Sequence, residues 1–260
     1  MNGKENTQVQ PPSSRRDFLR TTGVATAAAS LVSAESVLHE VRAASGGPHY
    51  GMVVDLRRCF GCHACSAACK AEYRVPLGKW NSWVNSRETG QFPKAARTFL
   101  PVLCNHCENP PCVTACPTEP KATFVAADGT VQLTDERCIG CARCERACPY
   151  KVRWMLAVPP DPKLDRFKDQ VARKCTFCVH RLADGLVPAC VNTCNARARI
   201  FGDLKDPQSE ISQLLAANKA AVLLPDKDTQ PKVFYLGLPP DLDYQPTNGG
   251  DYARDLASAA

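Results

Sequence analysis

The chain lacks any uninterrupted apolar run near the ~20 residues that a membrane-spanning helix needs, so we expect that it does not itself cross a bilayer. Aromatic residues make up only 7% of its 260 residues, and 32 basic side chains are set against 26 acidic ones without a basic arm. Nucleic acid is therefore a poor candidate partner. No Ser–His–Asp set, phosphate-binding glycine loop or nucleotide fingerprint is visible. We therefore expect no catalytic residues and no substrate pocket.

Cysteine is the residue that the chain has in excess. Its 16 cysteines form four groups of four with none left over, and every group ends in C-x3-C. Pro117 and Pro149 directly follow the second and third groups. This is the spacing of two-cluster bacterial ferredoxins, present twice. The groups are Cys59, Cys62, Cys65 and Cys69; Cys104, Cys107, Cys112 and Cys116; Cys138, Cys141, Cys144 and Cys148; and Cys175, Cys178, Cys190 and Cys194.

The spacing predicts four [4Fe–4S] clusters with crosswise ligation. In such sequences three thiolates on a tight loop wrap one face of a cuboidal cluster, and the fourth is carried by a short helix to the neighbouring cluster. In the outer groups, Lys70 and Asn195 stand where proline would be expected. The predicted ligand sets are Cys59, Cys62, Cys65 and Cys194 for cluster 1; Cys104, Cys107, Cys112 and Cys148 for cluster 2; Cys138, Cys141, Cys144 and Cys116 for cluster 3; and Cys175, Cys178, Cys190 and Cys69 for cluster 4.

Three other uses of these cysteines stay open. Structural zinc also uses C-x2-C pairs, but the four thiols of the first group would crowd a single tetrahedral ion. Eight disulfides would suit an exported chain by count, although the short spacings would need strained bridges. The string from Cys59 to His63 matches C-x-x-C-H, the attachment pattern of c-type haem, but Cys65 and Cys69 continue the ferredoxin spacing. A secreted binding module stapled by disulfides or zinc is thus the alternative from another class.

Residues 1–44 have the order of an export signal. Adjacent Arg15 and Arg16 are followed by Phe18 and Leu19, then by an Ala-rich, weakly apolar stretch with two candidate cleavage sites. This order predicts a twin-arginine signal peptide and linker. Twin-arginine cargo crosses the membrane already folded, so its cofactors can be inserted in the reducing cytoplasm and its cysteines need not be disulfides. We expect a periplasmic protein.

The predicted fold is α+β, built of tandem bacterial-type 2[4Fe–4S] ferredoxin modules with long loops and short strands and helices. The double module is expected over 49–202. Its inner module would occupy 100–150, and its outer module would combine 51–75 with 172–202. Residues 203–260 would add a helix, a strand and a partner-contacting tail.

Individual elements follow from local patterns. Short strands are predicted at 53–56 and 130–134, the second after a turn at Asp128-Gly129. Helical spacing covers 209–221, and a terminal strand covers 232–236. The Pro-rich stretches 70–103 and 149–174 are predicted to be long connections. Their tryptophans would serve as satellite core, as surface contacts or as a docking face for partners. These are Trp80, Trp83 and Trp154.

Basic residues flank the cysteine loops, and we interpret them as solvated charges. The alternative is that cations beside an anionic cluster raise its reduction potential and steer a redox partner. The residues concerned are Arg57, Arg58, Arg137, Arg143, Arg146, Arg173 and Lys174.

Several strings resemble the iron–sulfur electron-transfer subunits of the molybdopterin (dimethyl sulfoxide reductase-like) oxidoreductases. The likeness covers roughly residues 49–238 and is greatest to the tetrathionate, polysulfide and thiosulfate reductase branch. Nitrate reductase relatives replace one third-group cysteine with tryptophan, whereas this chain keeps all four. The strings are YGMVVD at 50–55, CNHCENPPC at 104–112, KCTFCVHRL at 174–182, FGDLKDP at 201–207 and PKVFYL at 231–236.

The resemblance implies a non-catalytic electron relay in a respiratory complex that acts on a sulfur compound. Its partners would be a multi-span, quinone-reactive membrane subunit and a large molybdopterin catalytic subunit, so the chain would be peripheral at the membrane. Similar proteins also serve multihaem cytochromes of nitrite reduction and membrane complexes of sulfite reduction. These alternatives stay open at the level of sequence.

Overall fold

The computed structural model describes residues 47–158 and 169–240, together with Leu242 and Tyr244. The predicted signal at 1–44, residues 159–168 of one predicted connection and most of the predicted tail lie outside the described residues.

Nine strands and six α-helices occur in the described part of the chain, and most are short. The strands are β1 (Tyr50–Asp55), β2 (Ser82–Thr89), β3 (Ala96–Leu103), β4 (Thr123–Val125), β5 (Val131–Leu133), β6 (Trp154–Ala157), β7 (Gln170–Arg173), β8 (Arg199–Asp203) and β9 (Val233–Leu236). The helices are α1 (Ala64–Tyr73), α2 (Pro111–Thr114), α3 (Arg143–Arg146), α4 (Val179–Ala183), α5 (Ala189–Asn192) and α6 (Glu210–Ala217). This mixture of small helices and strands confirms the α+β class.

β1 is the middle strand of a three-stranded sheet of order β8-β1-β9. It pairs antiparallel with β8 and parallel with β9. Alternate side chains point to opposite faces of a strand, so Met52 and Val54 enter one buried cluster while Val53 joins Ile211 and Leu236 in another. The strands predicted at 53–56 and 232–236 are confirmed, with small differences at their ends.

The helix predicted at 209–221 is α6, which is shorter than its sequence pattern. Ser209 caps it, because its side chain accepts a hydrogen bond from the backbone N–H of Ser212 at 3.2 Å. The helix ends at Ala217, because Ala221 instead exchanges two backbone hydrogen bonds with Tyr235, at 2.8 and 2.7 Å. Long-range pairing therefore takes precedence over the local helical spacing.

The stretch 70–103 is not the long connection that its prolines predict, because most of it forms the hairpin of β2 and β3. The two eight-residue strands pair antiparallel, with Ser82 opposite Leu103. Trp83 is fully buried here, and Trp154 of β6 is 2% exposed. The docking-face interpretation of these two tryptophans is therefore wrong, and Trp83 belongs to the main buried cluster rather than to a satellite core.

Each cysteine group follows a strand, whereas the sequence predicts strands only before the first and third groups. β1, β3, β5 and β7 precede the four groups in turn. The β4–β5 hairpin turns at Asp128-Gly129 as expected, with Gly129 at a φ of 75°. The third cysteine of every group lies in a short helix, α1, α2, α3 or α5. In the part of the chain that the structure describes, no helix is both long enough and apolar enough to span a membrane.

Candidate metal centres

The cysteine loops share one backbone feature. In every group the residue before the second cysteine has a left-handed conformation, with φ of 72° at Gly61, 44° at His106, 71° at Gly140 and 56° at Phe177. Glycine adopts this conformation readily, and other residues need support from their surroundings. His106 and Phe177 give each other that support, because both are fully buried and their rings stack at 3.8 Å.

Three cavities are each lined by four thiols, three from one cysteine group and one from another. We name them site 1 (Cys59, Cys62, Cys65 and Cys194), site 2 (Cys104, Cys107, Cys112 and Cys148) and site 3 (Cys116, Cys138, Cys141 and Cys144).

Site 4 is the remaining set, Cys69, Cys175, Cys178 and Cys190. These thiols are close enough to perturb one another. Burial, and then charge repulsion from Cys190 and Cys178, raises the pKa of Cys69. Burial, and then repulsion from Cys69 and Cys190, raises the pKa of Cys175. As in sites 1 to 3, three thiols come from one group and one from another.

The donor sets fit iron–sulfur clusters. All sixteen cysteines are free thiols, so the disulfide-stapled alternative does not describe this structure. Thiolates are the ligands of iron–sulfur clusters, and in each of sites 1 to 3 four thiols line one cavity. Among the described residues, no group of three or more His, Cys, Asp or Glu side chains is arranged to hold one metal ion.

Burial keeps several of these thiols protonated near neutral pH. It raises the pKa to about 12 for Cys107 and to about 11 for Cys148 and Cys190. Cys116 behaves differently: burial acts to raise its pKa, but hydrogen bonds from Thr118 and backbone N–H groups outweigh it and lower the pKa. Since metal binds the thiolate, loading these sites must release protons.

The four sites form a series. Sites 1 and 4 are joined by Arg199, which lines site 1 and acts to lower the pKa of Cys190 in site 4. Cys104 of site 2 perturbs the pKa of Cys175 in site 4. Cys112 of site 2 likewise perturbs that of Cys144 in site 3. Neighbouring thiols therefore give the order site 1, site 4, site 2, site 3.

Exposure to solvent differs along this series. All the thiols of sites 2 and 4, in the middle, are buried. At one end, Cys62 of site 1 is exposed while Cys59 and Cys194 are partly so. At the other end, Cys138 and Cys141 of site 3 are partly exposed. The two ends of the series therefore lie nearest the protein surface.

Buried cations lie among the sites, and the sequence interpretation missed two of them. Arg153 is 1% exposed, and its Nη2 donates to the Sγ of Cys112 at 3.1 Å. Arg199 is 3% exposed and lines site 1. Lys174, which was interpreted as a solvated charge, is 1% exposed and donates to the carbonyl of Cys175 at 2.6 Å. That interpretation is wrong for Lys174, because it directly follows β7, and the middle of β7 is buried in the core.

Most of the other flanking residues are exposed, although Arg57 is ion-paired with the buried Asp55 and Arg146 donates to the carbonyl of Cys141 at 3.1 Å. The exposed ones are Arg57, Arg58, Arg137, Arg143 and Arg146. Arg173 is half-buried and makes a bidentate ion pair with Asp135, at 2.6 and 2.7 Å.

A sequence signal for the buried arginines does exist. A basic residue stands five positions after the last cysteine of every group: Arg74, Lys121, Arg153 and Arg199. Lys121 stays near its loop and donates to the carbonyl of Cys116 at 2.9 Å, whereas Arg74 is exposed. The repeat therefore identifies the position, and packing decides which two side chains become buried.

Several known proteins are similar to this chain in sequence. Residues 95–204 match the family described as 4Fe-4S dicluster domain, and residues 12–32 match the twin-arginine translocation signal. The chain is 46% identical to a tetrathionate reductase subunit of Salmonella typhimurium over 89% of its own length and 91% of the relative. It is 37% identical to the arsenate respiratory reductase iron-sulfur subunit ArrB of a Shewanella species, over 72% and 95%. A putative dimethyl sulfoxide reductase iron-sulfur subunit of Halobacterium salinarum is 39% identical, over 72% and 79%.

Proposed function

Because the chain belongs to the iron–sulfur electron-transfer subunits of the molybdopterin (dimethyl sulfoxide reductase-like) oxidoreductases, we propose that it is a non-catalytic relay with one [4Fe–4S] cluster in each of sites 1 to 4. The clusters supply one-electron transfer, and the chain holds them and sets their potentials. The twin-arginine signal exports the chain to the periplasm.

The observation that carries this proposal is the series of four thiol sets whose two end members lie nearest the surface. A relay needs an entry and an exit for electrons, and its middle must be shielded from other redox agents. Buried sites 4 and 2 lie between the more exposed sites 1 and 3. We propose that one redox partner docks beside site 1 and another beside site 3.

Crosswise ligation is part of the proposal. Sites 2 and 3 draw all their thiols from 100–150, and sites 1 and 4 draw theirs from 51–75 and 172–202. We therefore propose these ranges as the inner and outer ferredoxin modules of a double module over 49–202. Residues 203–260 would then form a C-terminal part whose tail contacts a partner.

Paired cysteine variants test the crosswise arrangement. We expect Cys116→Ala to remove the same EPR-detected redox couple as Cys141→Ala, because both thiols line site 3. The reciprocal variant Cys148→Ala should remove the couple that Cys107→Ala removes, since both line site 2. Loss of the Cys107 couple in Cys116→Ala would show that each group holds its own cluster.

The proposed partners are a large molybdopterin catalytic subunit and a multi-span, quinone-reactive membrane subunit through which the chain associates with the membrane. We propose a sulfur oxyanion such as tetrathionate as the terminal substrate, because the relative with 46% identity is named as a subunit of a tetrathionate reductase.

The test is to tag the full chain, purify it anaerobically from gently solubilised native membranes, and identify co-purifying proteins by mass spectrometry. A large molybdenum protein with a membrane subunit is the expected result. A multihaem cytochrome in place of the molybdenum protein would overturn the partner assignment and leave the relay intact.

A further inference from the structure

Two buried arginines occupy matching places in the two proposed modules. Each stands five residues after the last cysteine of its group, Arg153 after Cys148 and Arg199 after Cys194. Each lines a thiol cavity, Arg153 that of site 2 and Arg199 that of site 1. The symmetry extends to burial, since the two residues are 1% and 3% exposed.

Arg153 is shared between sites 2 and 3. One of its Nη atoms donates to the Sγ of Cys112 in site 2 at 3.1 Å, and the other donates to Thr123 at 3.2 Å. A hydrogen bond from the same guanidinium also reaches Cys144 of site 3. One cation therefore faces thiols of both sites in the inner module.

Arg199 is shared between sites 1 and 4. It lines site 1, and a hydrogen bond from its guanidinium reaches Cys190 of site 4. Its position is fixed by Nη2, which donates to Ser82 at 2.9 Å. Its Nε has no acceptor among the described residues. A buried donor without a partner is costly. We therefore expect the Nε–H of Arg199 to donate to an acceptor that the loaded thiol sites supply.

A guanidinium keeps its charge in these surroundings. Arginine does not lose its proton in proteins. A fixed positive charge beside a cluster stabilises the more negative, reduced state and so raises its reduction potential.

We propose that Arg153 and Arg199 are positioning residues that each raise the reduction potentials of two clusters together, sites 2 and 3 for Arg153 and sites 1 and 4 for Arg199. The inference rests on the proposed four-cluster relay. Because one cation faces both clusters of a pair, its removal should lower the potentials of both together.

The test is a redox titration of the holoprotein, followed by EPR, which needs neither a substrate nor a partner. Arg153→Gln should lower the equilibrium constant for one-electron reduction at least tenfold for two of the four couples. This corresponds to a fall in reduction potential of about 59 mV for each. Arg199→Gln should lower the other two by a similar factor and leave the first two unchanged. The double variant should move all four.

Matched controls separate burial from mere proximity in sequence. Arg143 directly precedes Cys144 and Arg58 directly precedes Cys59, and both are exposed. Arg143→Gln and Arg58→Gln should change every couple less than twofold, because solvent screens their charges. Shifts as large as those of the buried variants would overturn the proposal.

Charge-retaining variants complete the design. Arg153→Lys and Arg199→Lys should shift their own two couples less than threefold, because they keep the positive charge. If a Gln variant fails to assemble its clusters, a tenfold shift in the matching Lys variant would still contradict the proposal. Movement of only one couple per variant, or overlapping pairs for the two arginines, would refute the shared role. Fewer than four couples in the parent chain would instead refute the proposed relay.

Discussion

Gly61 lies between two cysteines of site 1, and replacing it with alanine should damage that site selectively. Its φ is 72°, and a Cβ built there would lie 2.2, 2.3 and 2.7 Å from three ring atoms of Phe99. Left-handed backbone costs a non-glycine residue about 1–2 kcal/mol. Carbon atoms normally sit about 3.5–4.0 Å apart, so the ring must shift by more than 1 Å, and such overpacking costs about 1–3 kcal/mol. The sum is about 2–5 kcal/mol.

A second glycine supplies the control for the backbone contribution. Gly78 has a φ of 73°, but nothing lies within 4 Å of a Cβ placed there. Gly78→Ala should therefore show the backbone cost alone, about 1–2 kcal/mol. In a chain that already carries Phe99→Ala, Gly61→Ala should fall to that same value, since the clashing ring is gone. This double-mutant cycle isolates the clash.

The assay is anaerobic calorimetry combined with iron content and a redox titration. At ~2–4 °C per kcal/mol for a chain of this size, Gly61→Ala should lower the apparent Tm by several degrees more than Gly78→Ala. The strained loop carries Cys59 and Cys62, so up to a quarter of the bound iron should be lost, together with one redox couple. The reasoning fails if Gly61→Ala is no worse than Gly78→Ala, or if Phe99→Ala does not relieve it.

Three further predictions concern the framework around the sites. Asn81→Ala leaves the buried N–H of Trp154 without its 2.9 Å partner, so it should cost about 1–3 kcal/mol. Calorimetry should show a smaller loss for Asn85→Ala, because Asn85 is partly exposed and water can take the place of its oxygen as the acceptor for Trp83. Ser209→Ala removes the cap of α6 and should cost about 0.5–2 kcal/mol, whereas Ser209→Asp, which restores a capping oxygen, should recover most of that Tm. Stripping the iron with a chelator should abolish cooperative unfolding measured by circular dichroism, because four sets of thiols, most of them buried, lose the groups that hold them together. A sharp transition in the iron-free chain would contradict this.

Local sequence patterns determined much of this protein. Cysteine spacing predicts the strand, loop and short helix around each group, because these depend on backbone geometry over about a dozen residues. The Asp128-Gly129 turn and the strands at 53–56 and 232–236 are confirmed for the same reason. The twin-arginine pattern is read from adjacent residues and is likewise independent of the fold.

Tertiary structure alone decided the features that depend on distant segments. β2 and β3 form a long hairpin despite the prolines of 70–103, because pairing and burial of Trp83 outweigh local propensity. α6 ends early because Ala221 pairs with Tyr235.

The charges around the sites were decided in the same way. Basic residues occupy equivalent positions after all four cysteine groups, but only Arg153 and Arg199 are buried. Whether a charge is solvated or enclosed depends on which segments pack over it, and that packing joins residues that are far apart in the sequence. The order of the four sites, and the exposure of its two ends, follow from the same long-range packing.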